Sequence, residues 1–399
     1  MKLVPPAPPR PGDPLDAIGT PSLVIDLDAF ESNVRQMAEF AAAAGVTLRP
    51  HAKAHKSSEI AKRQIAAGAK GVCCQKLSEA YPFAAAGIAN IHVSNEFIGA
   101  DKTAMAVELA AHVRLSVCVD AVAQVEALGP AAARAGVRID VLPEVDVGQG
   151  RCGVTDDTQL LRLVDAIAAQ PALRFGGIQA YHGGAQHVAA HAERRQAAQL
   201  AAGRAAASLR ALEARGVRCE VVTGGGTGTV EFDARSGVYT ELQPGSYIFM
   251  DGDYGSLEWS GMRRPRQSLY IASTIMSATH PGRAVCDAGL KGVAVDSGLP
   301  KRVAWLADRA EAPLDYIAAN DEHGVMAVRD REGDGGRAAG RAGPAGSWPL
   351  RPDGQPLRRV RVLSRRARGD AVADRRARIV ALSLRVRGST PACTALTRK

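Results

Sequence analysis

The sequence predicts an α/β protein whose main body is a (β/α)8 barrel, followed by a β-rich segment. Three observations carry that expectation. From Val46 to Phe249, short β-rich runs alternate with Ala-rich amphipathic segments, as parallel strands joined by helices require. The alternation yields eight units in roughly 200 residues, which is the arithmetic of a barrel. The ends of the strand-like runs are polar, and barrels gather their chemistry at strand C-termini. A doubly wound sheet is the competing architecture, but no early GxGxxG turn supports it.

Taken in order, the candidate strands are "VTLRPHAK", "KGVCCQK", "NIHVSN", "VRLSVCVD", "IDVLPEVDVG", "FGGIQAYHG", "RCEVVTGGG" and "TELQPGSYIF". Helical patterns lie between them, such as "SEIAKRQIAAG", "LSEAYPFAAAG" and the long run from Val188 to Gly216. Several end in a glycine suited to a left-handed cap. Beyond the barrel, "SLYIASTIMSA", "RAVCDAGLKGVAVD" and "DYIAANDEHGVMAV" have strand character. The domain boundaries read as an N-terminal arm over 1–27, the barrel over 28–262, the start of a β-rich domain over 263–328, and an aberrant tail over 329–399.

The first sixteen residues, "MKLVPPAPPRPGDPLD", are Pro-rich and lack an apolar core, so neither a signal peptide nor a membrane span is expected there. Seven cysteines, none in a CxxC spacing, fit a reducing compartment and a cytoplasmic location, most of them as small buried hydrophobes. The net charge of +9 is unevenly placed. Residues 329–399 hold seventeen Arg and one Lys against six acids, a net +12, leaving −3 on the rest of the chain. That tail has a single aromatic, Trp348, and lacks the stacking residues of a single-strand binder, so nucleic acid is not the expected partner.

Read in order, the strand ends supply Lys53, Gln75, Asn95, Asp120, Asp146 with Arg151, Tyr181 with His182, Gly224 to Thr227, and Gly245 to Tyr247. They would form a ring of donors and acceptors around one mouth. "TGGGTG" (Thr223–Gly228) after the seventh strand is a phosphate signal, because glycine amides can approach phosphate oxygens and Thr227 adds a hydroxyl. Barrels hold phosphate at the loops after strands seven and eight, here "TGGGTG" and "PGSY". Opposite them stands "RPHAKAHKS". His51 and His55 are spaced as a helical metal pair, but Pro50 argues against a helix there. A phosphate cradle facing a lysine points to pyridoxal phosphate (PLP) bound to Lys53, with Lys56 the competing amine. The amine's pKa must be lowered, by desolvation or by positive charge from His51, His55 and Lys56.

The ordered motifs "TPSLVIDLDAFESNV", "RPHAKAHKS", "GVCCQKLSEA", "EVDVGQGRCGV", "QAYHGGAQH", "TGGGTGT", "LQPGSYIFMDGDYG" and "NDEHGV" together resemble the bacterial D-threonine aldolases. These belong to the alanine-racemase-like, fold-type III PLP enzymes that include D-serine dehydratases. The resemblance runs from about Thr20 to about Val328. It implies that Lys53 carries PLP and that Gly225, Gly226, Thr227, Gly245 and Ser246 bind its phosphate; Gln75 and Tyr247, from the ring of strand ends, are further cofactor-binding candidates. Arg151 and Tyr181 are implied around the cofactor ring and substrate, and His187 as a candidate for the base at the β-hydroxyl. It also implies a homodimer, an N-terminal arm packed on the β-rich domain, and retro-aldol cleavage of D-threonine and other D-3-hydroxy amino acids to glycine and an aldehyde. D-serine dehydratase or racemase chemistry, and a noncatalytic PLP-binding protein, are the alternatives.

One departure matters. The resembled enzymes hold a divalent metal, Mn2+ or similar, on a His-x-Asp pair near the C-terminus, and the dehydratases carry His-x-Cys. Here the last histidine is His323, so neither motif follows it and no metal ligand is assigned. The resemblance ends near Arg329, where the text becomes Arg/Ala/Gly-rich without periodicity, as a shifted frame of GC-rich DNA would encode. A reading-frame shift near Arg329 and a genuine divergent tail are the two explanations; the frameshift is the expected one, with an incomplete second domain and impaired activity.

Overall fold

The computed structural model describes residues 10, 12–15, 18–295, 298–301, 304–305 and 314–328, with the short segments 360–361 and 379–381. The sequence expectations for the remainder of the 329–399 tail lie outside the described residues. The chain divides into two units, one of residues 29–267 and one of residues 1–28 with 268–399.

The first unit is built from parallel strands. Its strands are β2 (Thr47–Leu48), β3 (Val72–Cys74), β4 (Asn90–Val93), β5 (Arg114–Val119), β6 (Ile139–Pro143), β7 (Leu173–Phe175), β8 (Ile178–Ala180), β9 (Val222–Gly224) and β10 (Glu241–Leu242). They form two sheets, ordered β3-β4-β5-β6-β7 and β2-β10-β9-β8. Two parallel bridges join the sheets: His51 to Cys73 links β2 to β3, and Glu144 to Gln179 links β6 to β8. The ring that results contains the eight strands read from the sequence. β7 is the addition, a short strand just before β8 that pairs in parallel alongside the start of β6, with Ile139 opposite Leu173.

Helices return the chain between strands: α1 (Leu27–Ala43), α2 (Ser58–Ala66), α3 (Leu77–Ala85), α4 (Ala100–Ala110), α5 (Val122–Arg134), α6 (Asp157–Ala168), α7 (His191–Ala214) and the short α8 (Val230–Asp233). Their starts follow from local chemistry. The Ser57 hydroxyl accepts from the Ile60 amide at α2, and the Asp156 carboxylate accepts from Gln159 at α6. α7 stops at Gly216 with φ +77°, whose amide and that of Val217 donate to the Glu213 and Leu212 carbonyls. Strands β3 to β6 are largely buried and rich in Val, Ile, Leu and Cys, as a sheet covered on its outer face requires, with His92 and Ser116 the buried polar exceptions.

At the N-terminal ends of the strands lies a polar cavity of about 230 Å³. Its cations are already paired: Arg49 and Lys70 with Glu241, Arg114 and Arg174 with Asp140. It sits at the barrel end opposite the predicted ring, and barrels reserve that end for stability.

In the second unit, β1 (Ser22–Asp26) pairs antiparallel with β11 (Leu269–Ala272), Ser22 opposite Ala272. An antiparallel sheet follows, ordered β12 (Ile275–Ser277), β13 (Arg283–Cys286), β16 (Gly324–Val328) and β15 (Leu314–Ala319), with the short β14 (Ala304–Trp305) between β13 and β15 in the chain. Its core is Ile275, Ala284, Cys286, Leu314, Tyr316 and Met326. These are the strands expected beyond the barrel, so the described residues have the α/β barrel plus β-rich architecture that the sequence predicts. No helix among the described residues is long and apolar enough to cross a membrane.

Candidate active site

Lys53 does not stand on a strand, as the sequence suggested, but on a 3-10 turn over Ala52–Ala54. The strand ends early because Pro50 has no amide to donate and because His51 folds back, its Nδ1 accepting from the Lys53 amide at 3.3 Å. The turn is then fastened to the loop after β10. The His51 amide donates to the Pro244 carbonyl at 3.2 Å, and a Cβ on Gly245 would come within 2.9 Å of the His51 carbonyl. Only glycine fits that close approach.

The same loop is tied to the glycine-rich segment. The Tyr247 amide donates to Thr227 Oγ1 at 3.1 Å, so the two predicted phosphate loops form one surface beside the Lys53 turn. Gly225 has φ +67°, and its Cβ would meet Asp233; a Cβ on Gly226 would meet Gln186 Oε1 at 2.5 Å. These glycines are therefore required first by the protein's own packing, a reason the sequence reading did not contain. Gln186 in turn accepts from the Gly228 and Thr229 amides, and the fully buried Arg194 donates to the Gly228 carbonyl at 2.8 Å. The loop is thus held rigid from below. Among the described residues, the amides of Gly226, Thr227 and Ser246 donate to no protein acceptor, although Gly226 and Thr227 are buried. Buried amides need partners, so this surface is suited to an anion such as a phosphate.

On its other side Lys53 Nζ lies 5.8 Å from the centre of the Tyr181 ring, and the Arg151 guanidinium lies 5.6 Å from the same ring. The walls of the mouth desolvate the amine and, with the Arg151 charge, lower its pKa from 10.5. The expected positive charge from His51 and His55 is overturned. Burial pushes the His51 pKa well below 6.5, and His55 down to about 4, so both rings are neutral. Nor do they form a metal pair: the far nitrogen of His51 meets Ser94 at 3.1 Å, while His55 Nδ1 accepts from the Ser57 amide. Lys56 points elsewhere. Its exposed ammonium sits 3.3 Å from Glu79.

Gln75 meets the His51 ring, at the edge of this group. Tyr247 contributes its amide only, since its ring is 1 % exposed and its hydroxyl accepts from Gln64. Asp146 accepts from the Gly148 and Gly150 amides and so shapes the loop that carries Arg151. His182 Nδ1 accepts from the Ala185 amide, and burial lowers its pKa. His187 Nδ1 lies 2.5 Å from Asp253 Oδ2, with Tyr254 packed on its ring. Tyr254 also reaches Ser246 and stands near Tyr181, where burial raises its pKa. Asp253 and Tyr254 were within a quoted motif, "FMDGDYG", but nothing local in that string showed which side chains turn inward.

Two family models match the chain: "Alanine racemase, N-terminal domain" over residues 25–253, more than half of the sequence, and a serine dehydratase domain over 268–343. The chain belongs to the alanine racemase N-terminal domain family, in the group of the D-threonine aldolases. It is 51% identical to a D-threonine aldolase of Arthrobacter sp over 81% of this chain and 84% of that protein. It is 42% identical to the 3-hydroxy-D-aspartate aldolase of Paracoccus denitrificans (strain Pd 1222), over 82% and 84% of the two chains. Among solved structures, the D-threonine aldolase from Filomicrobium marinum matches with a TM-score of 0.76 and 44% identity, covering 81% of this chain and 86% of that one.

Proposed function

We propose that this protein is a pyridoxal-phosphate-dependent lyase that cleaves D-threonine and other D-3-hydroxy amino acids to glycine and an aldehyde. The observation that carries the reading is the Lys53 turn bonded to the Pro244–Gly245 loop, which Thr227 joins to the unpartnered amides of the glycine-rich segment. One amine and one anion surface, fixed relative to each other, are what a phosphorylated aldehyde cofactor needs. The aldolase names of its relatives support the reaction type.

Lys53 is the attachment point, favoured over Lys56 because its pKa is lowered and Lys56 is exposed and paired with Glu79. Gly225, Gly226, Thr227, Gly245 and Ser246 hold the phosphate, Gln75 supports the Lys53 turn through His51, and Tyr247 joins the two loops through its amide. Arg151 and Tyr181 flank the ring. When bound, the cofactor withdraws electrons from Cα as the Cα–Cβ bond breaks. His187, held by Asp253, takes the proton of the β-hydroxyl at its free ring nitrogen. Tyr254 closes that side of the mouth.

The protein works as a homodimer in the cytoplasm, its N-terminal arm belonging with the β-rich unit. The family's divalent metal has no His-x-Asp ligands after His323, so cleavage should be slow in this chain. Incubation with D-threonine should release glycine and acetaldehyde, with L-threonine inert and Lys53→Ala inactive. Conversion of D-threonine to a 2-keto acid and ammonia instead would favour the dehydratase chemistry.

A further inference from the structure

Beyond the end of β4, at the end of β5, and on the loop after β6, Glu96, Asp120 and Cys152 bring one ligand atom each to within 4.8 Å of one another. Glu144 faces the same cluster. It is 2 % exposed, its carboxyl meets that of Glu96, and its Oε2 has no hydrogen-bond partner, nor has Glu96 Oε1. Arg151, 3.4 Å from Glu144 Oε1, is the cation that acts on this group. Two carboxyls and a thiol therefore share the Arg151 guanidinium, with the Asp120 carboxyl beside Glu96 and Cys152. Burial first, and then the neighbouring acids, push Glu144 up to about 8 and Cys152 up to about 11, so both groups favour their protonated forms until a cation joins them.

We propose that Glu96, Asp120, Glu144 and Cys152 form a site for a borderline divalent cation such as Zn2+, held by carboxylate oxygens and one thiolate. A mixed oxygen and sulfur donor set selects Zn2+ over Mg2+ or Ca2+, which take oxygen alone. Donors around a tetrahedral ion stand about 3.5 Å apart, and the Glu96, Asp120 and Cys152 atoms already lie within 4.8 Å of one another. Asp120 already accepts from Gln124 and from the Gly153 amide, and its remaining lone pairs are free to ligate. The ion pins the Asp146–Gly153 loop, and with it Arg151, beside Tyr181. This site is separate from any metal at the family's C-terminal motif, and it stands whether or not Lys53 carries the cofactor.

The full-length, cofactor-loaded protein, stripped with a chelator, is titrated with Cd2+ and followed by its ultraviolet sulfur-to-metal charge-transfer band. The band should appear, vanish in Cys152→Ser, and persist in Cys219→Ser. Glu144→Gln should weaken binding at least about tenfold. In the unmodified protein, Zn2+ should slow alkylation of Cys152 by iodoacetamide at least about tenfold, a readout that needs no variant to fold. No Cd2+ band, a band that survives Cys152→Ser, or alkylation indifferent to Zn2+ overturns the proposal.

Discussion

His187 and Asp253 meet at 2.5 Å, Nδ1 to Oδ2, across 66 residues of chain. A carboxylate on Nδ1 fixes the tautomer and leaves the other ring nitrogen to exchange a proton with substrate. His187→Ala should lower kcat by roughly 10²- to 10⁴-fold, and Asp253→Asn by less, both retaining the cofactor's visible absorption. Steady-state glycine release measures it. Wild-type rates in Asp253→Asn would leave the contact without a catalytic role.

Lys53 must be neutral to react, and its pKa is lowered by desolvation and then by Arg151. The rate of cofactor loading onto stripped protein should rise with pH through a midpoint below 10.5. Arg151→Met removes a positive charge, so the ammonium form is less disfavoured and the midpoint moves up. Stopped-flow loading at a series of pH values would show the shift, and a midpoint that moves down would contradict it.

Asp233 is buried beneath the glycine-rich loop, where it accepts from Thr229 Oγ1 at 2.5 Å, and burial raises its pKa from 3.8 to about 7. A carboxyl whose folded pKa is raised favours the folded state at low pH and penalises it as pH climbs from 3.8 through 7. Asp233→Asn should therefore gain stability relative to the native chain as pH rises, by up to a few kcal/mol. Thermal unfolding of both proteins at pH 5 and pH 9 supplies the comparison. A difference that stays flat with pH would exclude the buried charge.

Gly226→Ala places a Cβ 2.5 Å from Gln186 Oε1, the atom that receives the Gly228 and Thr229 amides. Gln186 must shift and the loop must open. We expect a loss of roughly 1–3 kcal/mol of stability and weaker cofactor binding. Fluorescence titration with PLP tests the second effect; unchanged affinity would mean the loop does not hold the phosphate.

Much of the barrel was legible because its signals are periodic. Alternation of β-rich and Ala-rich runs located the eight strands, and "TGGGTG" and "PGSY" marked two loops that Thr227 and Tyr247 join. The local state of Lys53 was not legible: the carboxy end of "VTLRPHAK" is a turn because His51 caps it from its own side chain. The lowered pKa of His51 and of His55 is not legible for a related reason, since only the folded core desolvates them. Asp253, Tyr254 and the Glu96–Glu144 contact depend on strand ends brought together from distant sequence, and no spacing rule announces such meetings.

The most direct test is reduction of the freshly purified protein with borohydride, followed by peptide mass mapping. The account predicts a pyridoxyl adduct on Lys53, with none in Lys53→Ala. An adduct confined to Lys56, or no adduct in protein supplied with PLP, would contradict it.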